Sequence, residues 1–311
     1  DEDLKIIRDD WERIVYKIKS GLAHEISEGD TYYLAACRKG AGGPGDLRHQ
    51  PFSSTLAFQR AYSLKSKYMN TIVEKWSQKP GDIAIEPIIK NLTEYEQGET
   101  FEDLVIRKVQ PYYHKSISEL HQMFGYGLNQ KAYQYFSQLT LRMLGVSTKK
   151  AEEFEKADIR IRTIRLKPNN MPKEDLSFPH FKYLEIIQEN WEDSTFLSQL
   201  QQRVLFVIYK YRSNDYVNNE LIFRKAIFWT MPLSDIDQYA YPVWQRTIYQ
   251  ISNGHADDLP KKSESDYCHV RPHGRDANDK LMTPQGTRLV KKCFWLNGAY
   301  IREKVADDII D

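Results

Sequence analysis

The sequence predicts an α/β protein, of the α+β kind with a mixed sheet, and three observations predict it. Segments of helical apolar period alternate along the chain with short β-branched runs, the pattern of helices packed on a sheet. Two of the runs, RVLFVIYKY (Arg203–Tyr211) and LIFRKAIFWTM (Leu221–Met231), are good strands. A unit of helix, glycine stop and strand occurs twice, once near each end of the chain. With 311 residues, 41% of them hydrophobic and 28% charged, there is material for two domains or one large one, and wholesale disorder is excluded. No apolar run approaches the ~18 residues of a membrane span, and no leader pattern opens the chain. Cys37, Cys268 and Cys293 are too few and too scattered for a disulfide framework, so reduced thiols in cytoplasm are expected.

Taken in order, the first element is a helix in which Trp11, Ile14, Val15 and Ile18 form one apolar face and Gly21 supplies the stop. A basic strand-loop-strand region follows from Tyr33. The stretch 78–100 carries proline, glycine and mixed charge and reads as a linker. Helices are expected from Phe101, from Ser116 (S-I-S-E is a capping-box pattern), over Gln130–Leu144 with Gly145 as stop, and over an acidic stretch 149–156. ADIRIRTIRLK (Ala157–Lys167) alternates β-branched residues and is a strand; PNNMPKED is a turn, and WEDSTFLSQLQQ is helical.

The repeat carries the most information. WERIVYKIKSGLA (Trp11–Ala23) and WQRTIYQISNGHA (Trp244–Ala256) share Trp, Arg, Tyr, Ile, Gly and Ala at the same offsets. Tyr33 and Tyr267 then open two basic segments, and LKSKY (Leu64–Tyr68) matches LNGAY (Leu296–Tyr300). Chance explains one such match; three in register imply one unit used twice.

A formal net charge of +1 conceals three basic segments. Residues 31–73 hold Arg38, Lys39, Arg48, Arg60, Lys65 and Lys67 against Asp46 alone. Residues 267–302 hold Arg271, Arg275, Lys280, Arg288, Lys291, Lys292 and Arg302 against Asp276 and Asp279. No acid interrupts 159–173. Compensating acidic faces are expected elsewhere, with Glu152, Glu153 and Glu155 as the example. One basic run is ordinarily a solvated face, but three with interleaved Tyr62, Tyr68, Trp295 and Tyr300 suit a polyanion such as nucleic acid. Cys268, His269 and His273 cluster without the spacing of a zinc finger. The Gly40–Gly45 run lacks the Lys-Ser/Thr of a nucleotide-binding loop.

Metal-dependent nucleases place one acid at the start of a strand and then acid-x-Lys, so that two carboxylates hold Mg²⁺ beside a lysine. Asp158 and Lys167 have that spacing, but Arg165 stands where the second acid belongs, and a guanidinium repels the cation.

DDWERIVYKIKSGLAHEISEG (Asp9–Gly29), the loops YLAACRKGAGG (Tyr33–Gly43) and YCHVRPHG (Tyr267–Gly274), RAYSLKSKYM (Arg60–Met69) and ADIRIRTIRLK together resemble the MutH-like endonucleases. The similarity is greatest to the C-terminal part of the GATC-cutting type II restriction enzymes, bacterial proteins with two MutH-like domains in tandem. The resemblance implies a MutH-like fold and a parent enzyme that is a Mg²⁺-dependent, site-specific deoxyribonuclease. Its first domain would cut; its second, with a degenerate site, would bind GATC duplex DNA as an allosteric effector. Only Asp158 and Lys167 match the family's catalytic pattern. Arg165 replaces an acid, Leu141 stands four before Gly145 where the family has a glutamate, and Leu200, Gln201 and Gln202 stand where it has a lysine. The family's base-reading Arg-Pro-Lys corresponds to Arg271-Pro272-His273 and to Cys37-Arg38-Lys39, and its following contact position to Trp295 and Ser63. Arg38, Lys39, Lys65, Arg271, His273, Lys291, Lys292 and Trp295 are therefore the expected DNA-binding residues, with no metal ligand and no cofactor in this chain.

The expected organisation is residues 1–77 as the C-terminal part of a first unit, 78–100 as linker, and 101–311 as a second unit. Because the chain opens on Asp1, it is expected to lack the catalytic half of the first unit, which would then be a partner. Other classes fit parts of the pattern. An active nicking endonuclease would need a glutamate recruited from Glu152, Glu153 or Glu155. A DNA-binding regulator with no nuclease parent would leave the tandem unit unexplained.

Overall fold

The computed structural model describes residues 2–40, 43–77, 79, 82–213 and 220–306. Helix α1 (Glu2–Lys19) leads into strands β1 (Leu34–Arg38), β2 (Leu47–Gln50), β3 (Ser53–Phe58) and β4 (Arg60–Leu64), then α2 (Ser66–Trp76). After β5 (Ile85–Glu86) come α3 (Phe101–Val109), α4 (Ile117–Phe124), α5 (Tyr135–Met143), β6 (Lys150–Ala151), α6 (Glu152–Ala157) and β7 (Arg160–Leu166). Then follow β8 (Leu176–Ser177), α7 (Tyr183–Ile186), α8 (Thr195–Leu200), β9 (Val204–Tyr211) and β10 (Leu221–Trp229). The last stretch holds α9 (Leu233–Asp235), a π-helical turn at Ile236–Ala240, α10 (Tyr241–Ser252), β11 (Cys268–Pro272), β12 (Lys280–Met282), β13 (Arg288–Val290), β14 (Lys292–Leu296) and α11 (Gly298–Ile301). The class is mixed α/β, as predicted. Among the described residues no helix is long and apolar enough to cross a membrane.

Packing divides the chain into two compact units, one of Asp1–Ile164 with Gln202–Thr230 and one of Arg165–Gln201 with Met231–Asp311. In the first, β9 lies between β10 and β7, and every residue of β9 is buried, which accounts for a sequence that is apolar except at Lys210. Its core joins Tyr32, Tyr33 and Tyr68 from the first repeat to Phe101, Leu104, Phe154 and Phe228. The stretch 78–100 was expected as a linker. Among its described residues β5 pairs in parallel with β6, and Ile88 and Ile89 are buried in that core. The Glu153 carboxylate accepts from both of their N–H groups, at 2.8 and 2.9 Å. Glu152 meets Lys75 and Lys156, so these two glutamates hold the unit together instead of forming an acidic face. Burial raises the Glu153 carboxyl above its usual range against the pull of those N–H groups.

The helix starts follow local chemistry. Ser116 accepts from Glu119 N–H while Glu119 accepts from Ser116 N–H, closing the expected capping box. Gly145 takes φ 83° at the end of α5, where the Val146 N–H returns to the Leu141 carbonyl. The apolar face assigned to α1 is rotated: Ile6, Asp10 and Ile14 are buried and Trp11 is exposed. Asp10 is inside because its carboxylate accepts from the N–H groups of Tyr32, Tyr33 and Leu34 at 2.7–2.9 Å. The acidic helix expected over 149–156 begins at Glu152, and the one over 130–144 begins at Tyr135.

The repeat is visible bond by bond. Gly21 and Gly254 have φ 73° and 84°, and Leu22 N–H to Lys17 O matches His255 N–H to Gln250 O, both 2.8 Å. β1 pairs antiparallel with β4 as β11 does with β14. Lys65 N–H to Tyr33 O matches Asn297 N–H to Tyr267 O, and Lys39 N–H to Gln59 O matches His273 N–H to Lys291 O, all 2.8 Å. Each basic loop also folds a hairpin, β2–β3 in one and β12–β13 in the other, which the charge pattern did not reveal. Tyr68 donates to Asp3 at 3.0 Å and Tyr300 to Asp235 at 2.7 Å. Between aspartate and tryptophan the second copy has one residue more (Asp235 to Trp244 against Asp3 to Trp11), and the π-helical turn accommodates it.

Candidate nucleic-acid interface

In the second unit the strand pair β11–β14 sets His269 directly opposite Trp295, and side chains two apart share that face, so His269, Arg271, His273 and Trp295 lie together. The Arg271 guanidinium sits 3.7 Å from the Trp295 ring centroid. His273 meets the same indole edge-on at 5.1 Å, and His269 lies parallel to it at 6.3 Å. Trp295 is nearly buried, whereas Arg271 keeps part of its side chain in solvent and His273 is exposed. Cys268, grouped with these histidines in the sequence, is fully buried on the other side of the strand.

Asp175 anchors the cluster and was not singled out in the sequence. Its carboxylate takes Lys262 at 2.7 Å, the Gly298 N–H at 2.8 Å and Arg271 at 3.3 Å. The one available signal was its place immediately after an acid-poor basic run. Burial alone would raise this carboxyl; Lys262, the Gly298 N–H and Arg271 outweigh it and hold it below the usual range. A depressed folded-state value stabilises the fold fully above the unfolded value, near 3.8, and the contribution vanishes as pH falls through the folded one. The urea-midpoint difference between the natural protein and Asp175→Asn is therefore expected to be constant from pH 7 to about 5 and to shrink below about 4. A difference that grows on acidification would contradict this assignment.

The other expected contacts divide into two groups. Lys39 is exposed at the end of β1, and Arg38 stands 4.5 Å over Phe58. Lys65, by contrast, is turned inward: its ammonium donates to Glu28 O and Thr31 O, both at 2.5 Å, and burial lowers its pKa. Lys292 donates to Ala256 O at 2.8 Å and Asp257 O at 3.1 Å, again with a burial-lowered pKa, and Lys291 pairs with Asp279 at 2.8 Å. In the first copy the positions of Arg271 and Trp295 are Cys37 and Ser63, whose side chains touch at 2.9 Å. The planar cation over an indole has no counterpart there.

At the nuclease position, Asp158 closes α6 in the left-handed conformation, φ 53°. Its carboxylate faces cations, Arg160 at 3.3 Å and Lys67 at 3.8 Å, at the edge of a polar cleft lined by Asn70, Glu74 and Glu155. Arg165 is in the other unit and pairs there with Glu174. Lys167 begins the turn beyond β7, its N–H bonded to Met171 O at 2.8 Å. Leu141 is buried. Among the described residues no three His, Cys, Asp or Glu side chains are grouped to hold a metal ion.

Residues 144–239, which include Asp158, Arg165 and Lys167, match the family model described as DNA mismatch repair enzyme MutH. The type II restriction enzyme Sau3AI of Staphylococcus aureus is 35% identical over an alignment covering 98% of this chain and 71% of that enzyme. The chain belongs to the MutH-like endonuclease family. Within it the chain is similar to the restriction branch, and its mixed α/β fold is that of the family.

Proposed function

We propose that this chain is the DNA-binding, allosteric effector portion of a type II restriction endonuclease that recognises GATC in duplex DNA, without a complete active site of its own. The observation that carries this reading is the Arg271 guanidinium, held between Trp295 and Asp175 on a partly open basic face. A planar fork presented in a fixed orientation suits the O6 and N7 acceptors of guanine in the major groove. Exposed His273, with Lys280 and Arg288 on the β12–β13 hairpin, adds polar and phosphate contacts.

Mg²⁺, which the parent enzyme would use, does not fit the residues at the nuclease position. Asp158 already faces two cations, and an arginine stands in place of the second acid. Cutting belongs in this reading to the other half of the tandem, a partner carried by the same bacterial, cytoplasmic polypeptide. Effector DNA would license it through a coupling of about 1–3 kcal/mol. Of the glutamates that could rebuild an active site, Glu152 is tied to Lys75 and Lys156 and Glu153 to the Ile88 and Ile89 N–H groups; Glu155, which shares the cleft with Asp158, faces Lys150 at 3.7 Å.

The test is an equilibrium titration on a GATC duplex and a scrambled duplex at two salt concentrations, with cleavage scored in Mg²⁺ on the same samples. Selective binding without cleavage is expected, with log K falling against log salt by roughly 0.9 per neutralised phosphate. Mg²⁺-dependent nicking abolished by Asp158→Ala would sink the proposal.

A further inference from the structure

The two copies of the repeat differ most in what covers them. In the second unit β14 is a central strand: β11 lies on one side, and β8 pairs on the other through Trp295–Ser177 and Leu296–Leu176. The bonding runs past β8, with Phe178 N–H donating to Phe294 O at 3.0 Å and Phe181 N–H to Lys292 O at 3.2 Å. Phe196 then stacks on Phe294, ring centroids 3.9 Å apart. In the first unit β4 pairs with β1 alone among the described residues. The alternation that sends Lys65 N–H to Tyr33 leaves the N–H and C=O of Tyr62 and Leu64 facing away from β1.

The side chains agree with the backbone. Tyr62, Leu64, Met69 and Val73 of the first copy occupy the positions of Phe294, Leu296, Ile301 and Val305 of the second. The first four are 42–62% exposed; their equivalents are 0–4% exposed. A strand edge beside four exposed apolar side chains is unusual for a free surface, because such edges template pairing with another strand.

We propose that this face, the free edge of β4 together with Met69 and Val73 of α2, is a docking surface for a strand-and-helix segment. Its occupant has the chemistry of Leu176–Leu200: an extended stretch that adds a third strand, followed by an aromatic-bearing helix that caps Tyr62. In the tandem reading the occupant belongs to the same polypeptide, since a unit used twice gives the first copy its own equivalent of β8. By the same relation its strand donates to Tyr62 O and Arg60 O, as Phe178 and Phe181 do to Phe294 and Lys292. This inference rests on the tandem reading above and is independent of DNA recognition.

The test compares residues 1–311 with the polypeptide extended upstream in its own reading frame, by hydrogen exchange without DNA. The Tyr62 and Leu64 amides are expected to exchange at least about tenfold more slowly in the extended protein. Met69→Glu with Val73→Glu is expected to abolish that protection. Both residues are exposed in 1–311, so the double variant of 1–311 should fold normally and serve as the control. Equal exchange in the two proteins, or a reading frame with no upstream segment, would overturn the proposal. So would self-association of 1–311 that the double variant abolishes, since the occupant would then be a second copy. DNA titrations of the same samples report separately on the effector reading.

Discussion

Replacing Arg271 by Ala is expected to weaken binding to a GATC duplex by about 1–3 kcal/mol, roughly 5- to 150-fold, and to erase most of the preference over a scrambled duplex. The size follows from how the side chain is held. Trp295 beneath the guanidinium and Asp175 beside it fix its orientation before DNA arrives, so little rotamer freedom remains to be lost on binding. Lysine at this position should not rescue selectivity, because an ammonium cannot present two parallel donors. The control is Arg275→Ala. That side chain is almost wholly exposed, and its loss should weaken both duplexes alike and reduce the salt slope by about one. Equal losses on both duplexes for Arg271→Ala would show that it only neutralises phosphate.

The second large effect is on stability. Phe101→Ala is expected to cost about 3–5 kcal/mol, read from urea unfolding. Phe101 is buried at the start of α3, edge-on to Tyr32 at 5.4 Å and to Phe154 at 6.3 Å, with Phe228 at 6.4 Å. Tyr32 comes from the first repeat and the other two from the body that follows, so the ring joins pieces distant in sequence. Around it, Glu102 meets Arg203 and the Tyr32 hydroxyl, Lys156 meets Asp3 at 2.7 Å, and Lys5 reaches Glu99 O at 2.8 Å. A loss under about 1 kcal/mol would mean that the Phe101 ring is not what joins residues 1–77 to the rest of the unit.

Local signals survived into the structure wherever the backbone itself demanded them. The capping box at Ser116, the left-handed glycines 21, 145 and 254, and the apolar runs of β9 and β10 are short-range necessities and were legible. What escaped depends on partners far along the chain. Asp10 and Glu153 look like surface acids until the N–H groups that they bind are known. Lys65 and Lys292 counted toward basic faces, yet each is turned onto backbone carbonyls, a destination that charge counting cannot reveal. Arg271, His273 and Trp295 were named from the motif, and the strand pairing brings them together; Asp175, which contacts Arg271, lies 96 residues away in the sequence and belongs to no motif. The expected division at 77 and 101 followed the repeat, whereas packing groups residues 1–77 with the region after them.

The π-helical turn at Ile236–Ala240 has a consequence for how the two copies could drift apart. One residue added to a regular helix rotates everything beyond it by about 100°, which would swing Trp244 and Ile251 out of the core. Widening a single turn takes up the added length and keeps the later residues in phase. The Tyr300–Asp235 contact on one side of the turn and the Gly254 stop on the other both persist. The turn works as an expansion joint: it lets one copy change length while its strands keep the hydrogen-bond register of the other.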